Sequence, residues 1–397
     1  MFQPHIAVID DGVNENYYGT GEVDNNLEIS PQGILFEREG YDRYILSHGT
    51  TCAAIIKKYS PDSSVSSIKI LNAHSFQGTK AQLIRALSWC GDNGIKIINI
   101  SLGTIDYKDF EEIRKTVDYV SEKGSVIIAA CNNRNLFTCP ASLDNVIGVR
   151  CDKKQILKGR EFVCNTGPID GIEITACSAH SLTDFGGNSR VTGNSNSFAA
   201  PVITSWVYDI LSGKKNYCVK EVKEILMEKS LKHMQDKDFI QAEQTGSPHD
   251  TDDIPVILIC NLPGRNLNQL SEKLKNKFRV DGYNAVCLAE ECEQELCRGS
   301  VSLNYFLDRN DYSVGNVINK VMGVFDPDIL LVAVNGESAC YQDLEKNCDA
   351  DIKIQAAKTG YIRVSNMNGQ DENTELFEND CDNNIDKIYR HIINLYC

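Results

Sequence analysis

Nowhere in its 397 residues does the chain approach the roughly 18 consecutive apolar residues that a membrane-spanning helix requires, so a helical membrane protein is excluded. Basic charge is also in short supply. Lys and Arg number 40 against 55 Asp and Glu, a formal net charge of −15, so the field around the chain repels phosphate backbones and anionic lipid. No nucleic-acid or membrane partner is expected. The start of the chain, MFQPHIAVIDDG, has no basic region, no apolar signal core and no small-residue cleavage site, which excludes a secretory signal there. Cysteine, by contrast, is plentiful: there are 16, without regular spacing. In a chain of this size they read as reduced thiols packed as small apolar residues of a cytoplasmic protein. One local group, Cys287, Cys292 and Cys297, has a five-residue spacing that fits neither the short pairs of zinc sites nor one helix face, so no metal site is expected.

The first two thirds of the chain alternate short apolar runs with amphipathic helical patterns, the signature of a parallel sheet covered by helices on both faces. Strands are predicted at 5–10, 65–71, 96–101, 126–131, 145–151 and 172–177. Crossover helices are predicted at 79–94 and 108–125, each with an apolar stripe and a Gly near its end. Residues 196–213 read as a long buried helix with a proline in its first turns. Apolar periodicity then disappears over 234–253, which marks a linker between a domain at 1–233 and a smaller α/β unit at 254–397. The smaller unit has strands at 254–260, 284–290, 329–335 and 351–357 and helices near 267–278, 311–324 and 383–395. A strand followed by Asn261-Leu262-Pro263-Gly264-Arg265 opens it in the manner of a nucleotide-binding domain, but neither a GxxxxGK[ST] loop nor a GxGxxG turn follows. Docking, dimerisation or regulation is expected of it instead.

Three segments of the first domain carry chemistry. Ile6-Ala7-Val8-Ile9-Asp10-Asp11-Gly12 is an apolar strand ending in acid and glycine, at the place where open α/β sheets hold functional groups. A carboxylate there holds an imidazole by its Nδ1 hydrogen, although an Asp-Gly turn alone explains the same residues. Ser47-His48-Gly49-Thr50-Thr51-Cys52 puts a histidine at the head of a small-residue helix, where a capping role is the plain alternative. Gly193-Asn194-Ser195-Asn196-Ser197-Phe198-Ala199-Ala200-Pro201 delivers a serine to the start of the buried helix. Such a serine is ordinarily a cap, but here backbone N–H groups and the positive helix end lie beside its hydroxyl and suit an oxyanion.

Taken together, Asp10-Asp11-Gly12, His48-Gly49-Thr50 and Ser197-Phe198-Ala199-Ala200-Pro201 resemble, in order, the three active-site signatures of the subtilisin-like serine proteases. Ala129-Ala130-Cys131-Asn132 resembles the strand ending in that family's oxyanion-hole asparagine, and Ile98 to Gly103 its substrate-binding edge. The resemblance spans about residues 5 to 233. It implies an α/β, subtilisin-like fold and a serine endopeptidase with Ser197 as nucleophile, His48 as base and then acid, and Asp10 as the orienting carboxylate. Asn132 would join the Ser197 N–H in stabilising the tetrahedral intermediate. Ser101, Leu102 and Gly103 would pair with an extended peptide, and Ala130, Arg134 and Thr138 would line the pocket before the scissile bond.

Departures from the pattern are specific. Asp11 stands where Ser or Thr is usual, Asn196 replaces the threonine before the serine, and Ser195 and Cys131 replace glycines. No prodomain fits before Asp10, and no acidic loop replaces the family's calcium sites, so no cofactor is expected. These features lead to the expectation of a narrow-specificity intracellular processing enzyme acting on a peptide or protein, for example in maturation of a ribosomal peptide precursor. Dimerisation through the second unit is one expected role of that unit. A catalytically silent peptide-binding module is the alternative.

Overall fold

The computed structural model describes residues 2–72, 75–165, 167–213, 217–231, 254–260, 262, 264–307, 313–347, 350–357, 361–367, 374–378 and 381–396. Two compact units divide the chain, Met1–Gln244 and Thr245–Cys397. The expected linker at 234–253 lies outside the described residues.

In the first unit the strands are β1 Ile6–Asp10, β2 Asn26–Ile29, β3 Leu35–Glu37, β4 Val65–Lys69, β5 Ile97–Ile100, β6 Val126–Ala130, β7 Val146–Cys151, β8 Phe162–Cys164, β9 Ile174–Ala176, β10 Ser181–Thr183 and β11 Ser189–Val191. The helices are α1 His48–Tyr59, α2 Lys80–Asp92, α3 Tyr107–Glu122, α4 Asn196–Gly213 and α5 Val219–Lys229. Nine strands form one sheet in the order β3-β2-β4-β1-β5-β6-β7-β9-β8. From β2 to β9 the pairing is parallel, and β3 and β8 close the edges antiparallel. All residues of β1, β5 and β6 are buried, as a sheet covered on both faces requires. The covering helices follow from their stripes: α3 buries Phe110, Ile113, Val117 and Val120, and α2 opens on a capping box between Thr79 and Gln82. Helix α4 is buried nearly all round, against α1 on one side and the centre of the sheet on the other.

The second unit has β12 Val256–Cys260, α6 Gly264–Val280, β13 Ala285–Ala289, β14 Ser300–Ser302, α7 Leu303–Leu307, α8 Val314–Phe325, β15 Ile329–Val334, α9 Ala339–Asn347, β16 Ile352–Ala356, β17 Tyr361–Asn366, β18 Thr374–Glu378 and α10 Cys381–Tyr396. Its sheet runs β14-β13-β15-β12-β16-β17-β18, parallel as far as β16 and antiparallel beyond. Beyond the carboxyl end of β13, Glu272, Glu291, Cys292, Glu293, Glu295 and Ser300 line a cavity of about 530 Å³. That acidic lining repels a phosphate. Of the Asn261–Arg265 segment, Asn261 and Pro263 fall outside the described residues. Lys275, wholly buried beneath the cavity, is neutralised by Glu272 at 2.6 Å and donates to Ser300 Oγ. No helix among the described residues is long and apolar enough to cross a membrane.

Candidate active site

Strand β1 ends on Asp10 and α1 begins on His48, and two glycines allow these ends to meet. Gly12 holds φ at +101°, a conformation open to glycine, and the guanidinium of Arg38 covers its α-carbon so closely that a side chain there would strike it at 2.5 Å. A β-carbon at Gly49 would sit 2.8 Å from the Gly12 carbonyl oxygen and 3.0 Å from Asp10 Cβ. With both absent, the head of α1 settles against the strand end.

His48 Nδ1 then lies 2.8 Å from Asp10 Oδ2 and 3.0 Å from Oδ1. Asp10 is 1% exposed, and its Oδ1 also accepts from the Asp11 N–H at 2.8 Å. The neighbouring acid is used differently. Asp11 turns its carboxylate to the head of α1, accepting from the backbone N–H of Gly49 at 2.7 Å and of His48 at 3.0 Å. The sequence pointed to Asp10 as the orienting acid, with a second carboxylate, Asp11, beside it. The geometry divides them, one on the imidazole and the other on the helix that carries it. Burial, with Asp10 adjacent, raises the Asp11 carboxyl, while the two N–H donors pull it back part of the way.

Burial works against the His48 imidazolium, whereas the Cys52 sulfur and the Asp10 carboxylate favour it, and the net direction is upward from 6.5. Cys52 is fully buried, which raises its thiol. Cys52 follows His48 by one turn of α1, the spacing that puts two side chains on one helix face. Its Sγ lies 3.9 Å from Asp10 Oδ2, 4.0 Å from His48 Nδ1 and 3.4 Å from Ser101 Oγ. Asp10, His48 and Cys52 are the only group of metal-ligand type among the described residues.

Ser197 is the second residue of α4, and Pro201, four residues on, has no N–H to offer its carbonyl. Two side chains take that orphan acceptor instead: Ser101 Oγ at 3.4 Å and Cys52 Sγ at 3.5 Å. Ser101 is itself tied through Asn99 to Thr204 of α4. The Phe198 ring stacks on His48 with centroids 5.3 Å apart, and the Phe198 carbonyl meets His180 Nε2 at 3.2 Å. Ser197 Oγ makes no hydrogen bond among the described residues. Slack of this kind is common at a nucleophile before substrate binds.

Asn132 lies just past β6. Its Oδ1 accepts from the Arg134 N–H at 2.7 Å, which orients the amide and leaves Nδ2 without a partner among the described residues. Its own N–H donates to Thr138 Oγ1 at 3.0 Å. The sequence-predicted substrate residues separate accordingly. Gly103 and Arg134 are exposed and Leu102 half-buried, whereas Ser101 turns inward, Ala130 belongs to the core and Thr138 is spent beneath Asn132. Residues 101–103 are not a strand in this structure, although Thr104 pairs with Cys139 just beyond them. Of the three clustered cysteines, Cys287 is buried and Cys292 and Cys297 are half-buried.

The chain was compared with known families, curated proteins and solved structures. The model of the subtilase family matches residues 3–251. Subtilisin DY of Bacillus licheniformis is 25% identical over 222 residues, covering 52% of this chain and 76% of its own. A thermophilic serine proteinase of Bacillus sp. (strain AK1) is 31% identical over 157 residues, 36% of this chain and only 37% of that relative's length. Among solved structures, the S41 psychrophilic protease superposes with a TM-score of 0.48 at 23% identity, covering 57% of this chain and 82% of its own.

Proposed function

This chain belongs to the subtilase family of serine endopeptidases, and from that premise we propose that Ser197, His48 and Asp10 act as its catalytic triad, with Asn132 as the side-chain donor to the oxyanion. The observation that carries the reading is the buried Asp10 carboxylate on His48 Nδ1 at 2.8 Å, at the foot of α4, whose second residue is Ser197. With Nδ1–H bound to Asp10, the neutral ring keeps its Nε2 lone pair for the serine proton. Ser197 Oγ attacks the scissile carbonyl carbon as its proton passes to His48. The carbonyl electrons move to oxygen, where the Ser197 N–H and Asn132 Nδ2 receive the charge. Collapse expels the amine, protonated by His48, and leaves an acyl-enzyme. Water then repeats the sequence with His48 as base and releases Ser197.

The proposed substrate is a peptide or protein segment held in extended form along residues 101–103. The proposed role is narrow-specificity processing, such as removal of a leader from a ribosomal peptide precursor, in the cytoplasm. The second unit would dock that substrate, dimerise or gate the site. The abundance of cysteine without regular spacing accords with a reducing compartment, and residues 254–397 lie beyond the family match.

The test is mass spectrometry of the full chain after treatment with a fluorophosphonate, wild type beside Ser197→Ala and His48→Ala. A single adduct on Ser197, absent from both variants, is expected. Folded wild-type protein that takes no label overturns the catalytic reading in favour of a silent peptide-binding module.

A further inference from the structure

Between the proposed nucleophile and the proposed oxyanion donor lies a side chain that the triad does not use. Asn196 is the first residue of α4 and is 1% exposed, next in sequence to Ser197. Its carboxamide is spent on three backbone groups of other elements. Oδ1 accepts from the Cys151 N–H at the end of β7 at 2.8 Å, and Nδ2 donates to the carbonyls of Cys131 at 3.2 Å and Asn132 at 3.1 Å. A planar amide with two N–H donors and a separate acceptor can make these bonds together. A hydroxyl has one proton and cannot serve both carbonyls.

The consequence is geometric. Asn132 is gripped at both backbone ends, its N–H by Thr138 Oγ1 and its carbonyl by Asn196 Nδ2. One of those grips belongs to the residue adjoining Ser197. The backbones of Ser197 and Asn132 are therefore linked by one peptide bond, the short Asn196 side chain and one hydrogen bond, without a loop in between. Oxyanion stabilisation depends on donors fixed about 3 Å from where the charge develops, and a misplacement of about 1 Å can cost on the order of 100-fold in rate. We propose that Asn196 is a positioning residue that holds the Asn132 amide in register with Ser197 for the oxyanion. It touches no reacting atom, and this rests on the catalytic reading above.

Steady-state kinetics of the full chain test it with Asn196→Thr and Asn196→Ser, each alone and in an Asn132→Ala background. Acting through Asn132, the single substitutions lower kcat by about 10- to 100-fold with KM nearly unchanged, and never by more than Asn132→Ala itself. In the Asn132→Ala background the same substitutions cost less than about twofold, because the group they position is gone. Equal losses in both backgrounds, a loss confined to KM, or full kcat in Asn196→Thr overturns the proposal. A crystal structure of Asn196→Thr decides the point without turnover. Asn132 is expected to shift relative to Ser197, and an unmoved Asn132 refutes the positioning role. A wild type whose Ser197 takes no fluorophosphonate overturns the catalytic reading, a separate result from an unmoved Asn132.

Discussion

Replacing His180 by glutamine should remove a pH dependence from the stability of the first unit. His180 is 1% exposed, its Nδ1 3.0 Å from Tyr59 Oη and its Nε2 3.2 Å from the Phe198 carbonyl. Burial holds its imidazolium down to about 4, from 6.5, against the smaller pull of the Phe198 and Cys177 carbonyls. Above pH 6.5 the ring is neutral in both the folded and unfolded chain and costs nothing. As pH falls below 6.5 the unfolded chain takes up a proton that the folded one refuses, so stability is lost down to about pH 4. The difference between the two values is worth about 2 kcal/mol by pH 5 and about 3 kcal/mol by pH 4. Asp11 and Glu173, both raised by burial, contribute with the opposite sign, so the readout is wild type minus His180→Gln, not either curve alone. Both tryptophans, Trp89 and Trp206, lie in the first unit, so their fluorescence follows its unfolding in urea. Between pH 7.5 and 4.5 the wild-type midpoint should fall by about 1 M more than that of the variant, at an m-value of about 2–3 kcal/mol/M. Parallel pH curves for the two proteins would refute the argument.

Three further outcomes follow from the Asp10–His48 pair and its packing. Asp10→Asn presents an amide N–H to His48 Nδ1, forces the proton onto Nε2 and should lower kcat by about 10⁴-fold with the fold intact, read by peptide hydrolysis beside circular dichroism. Because His48 is raised above 6.5 and must be neutral to act as base, kcat/KM should still be climbing through neutral pH; a plateau already reached by pH 6 contradicts the pairing. Gly49→Ala puts a methyl 2.8 Å from the Gly12 carbonyl, so α1 must move away from β1, with a stability loss of about 1–3 kcal/mol by urea melts and a fall in kcat. An alanine variant with wild-type melting and turnover would mean that the close approach is not needed.

What could be read from the sequence divides along the range of the interactions. The parallel strands of the first unit were legible because a strand covered on both faces is a continuous apolar run, as in Ile97–Ile100 and Val126–Ala130. The hairpins were not: Ser189–Val191 is exposed throughout and Leu35–Glu37 nearly so, and neither carries an alternation that marks a buried face. In the second unit β17 and β18 were not anticipated either, although Ile362 and Val364 alternate with exposed residues in β17, and their antiparallel pairing makes its sheet mixed. Asp10, His48 and Ser197 could be singled out because each stands at the end of its own element, where short motifs suffice. The partition of labour between Asp10 and Asp11 could not, since it depends on which carboxylate faces an N–H of α1 and which faces the ring. Asn196 could be noted as a departure, but its three partners come from residues 45 to 65 positions away in the chain.

The physical logic of the site is that its backbone is over-held while its hydroxyl is left free. Pro201 leaves the Ser197 carbonyl without a helical donor, and a buried carbonyl so orphaned carries a cost that the fold must meet. Cys52 of α1 and Ser101 beyond β5 meet it from one side, and His180 meets the next carbonyl, that of Phe198, from another. Asn196 closes the third side against β6 and β7. Three side chains from other elements and one of its own thus fix the first turn of α4, a support that need not reorganise when charge develops. A bare carbonyl at Cys131 and a second at Asn132 are what an asparagine at 196, with two N–H donors, is built to hold.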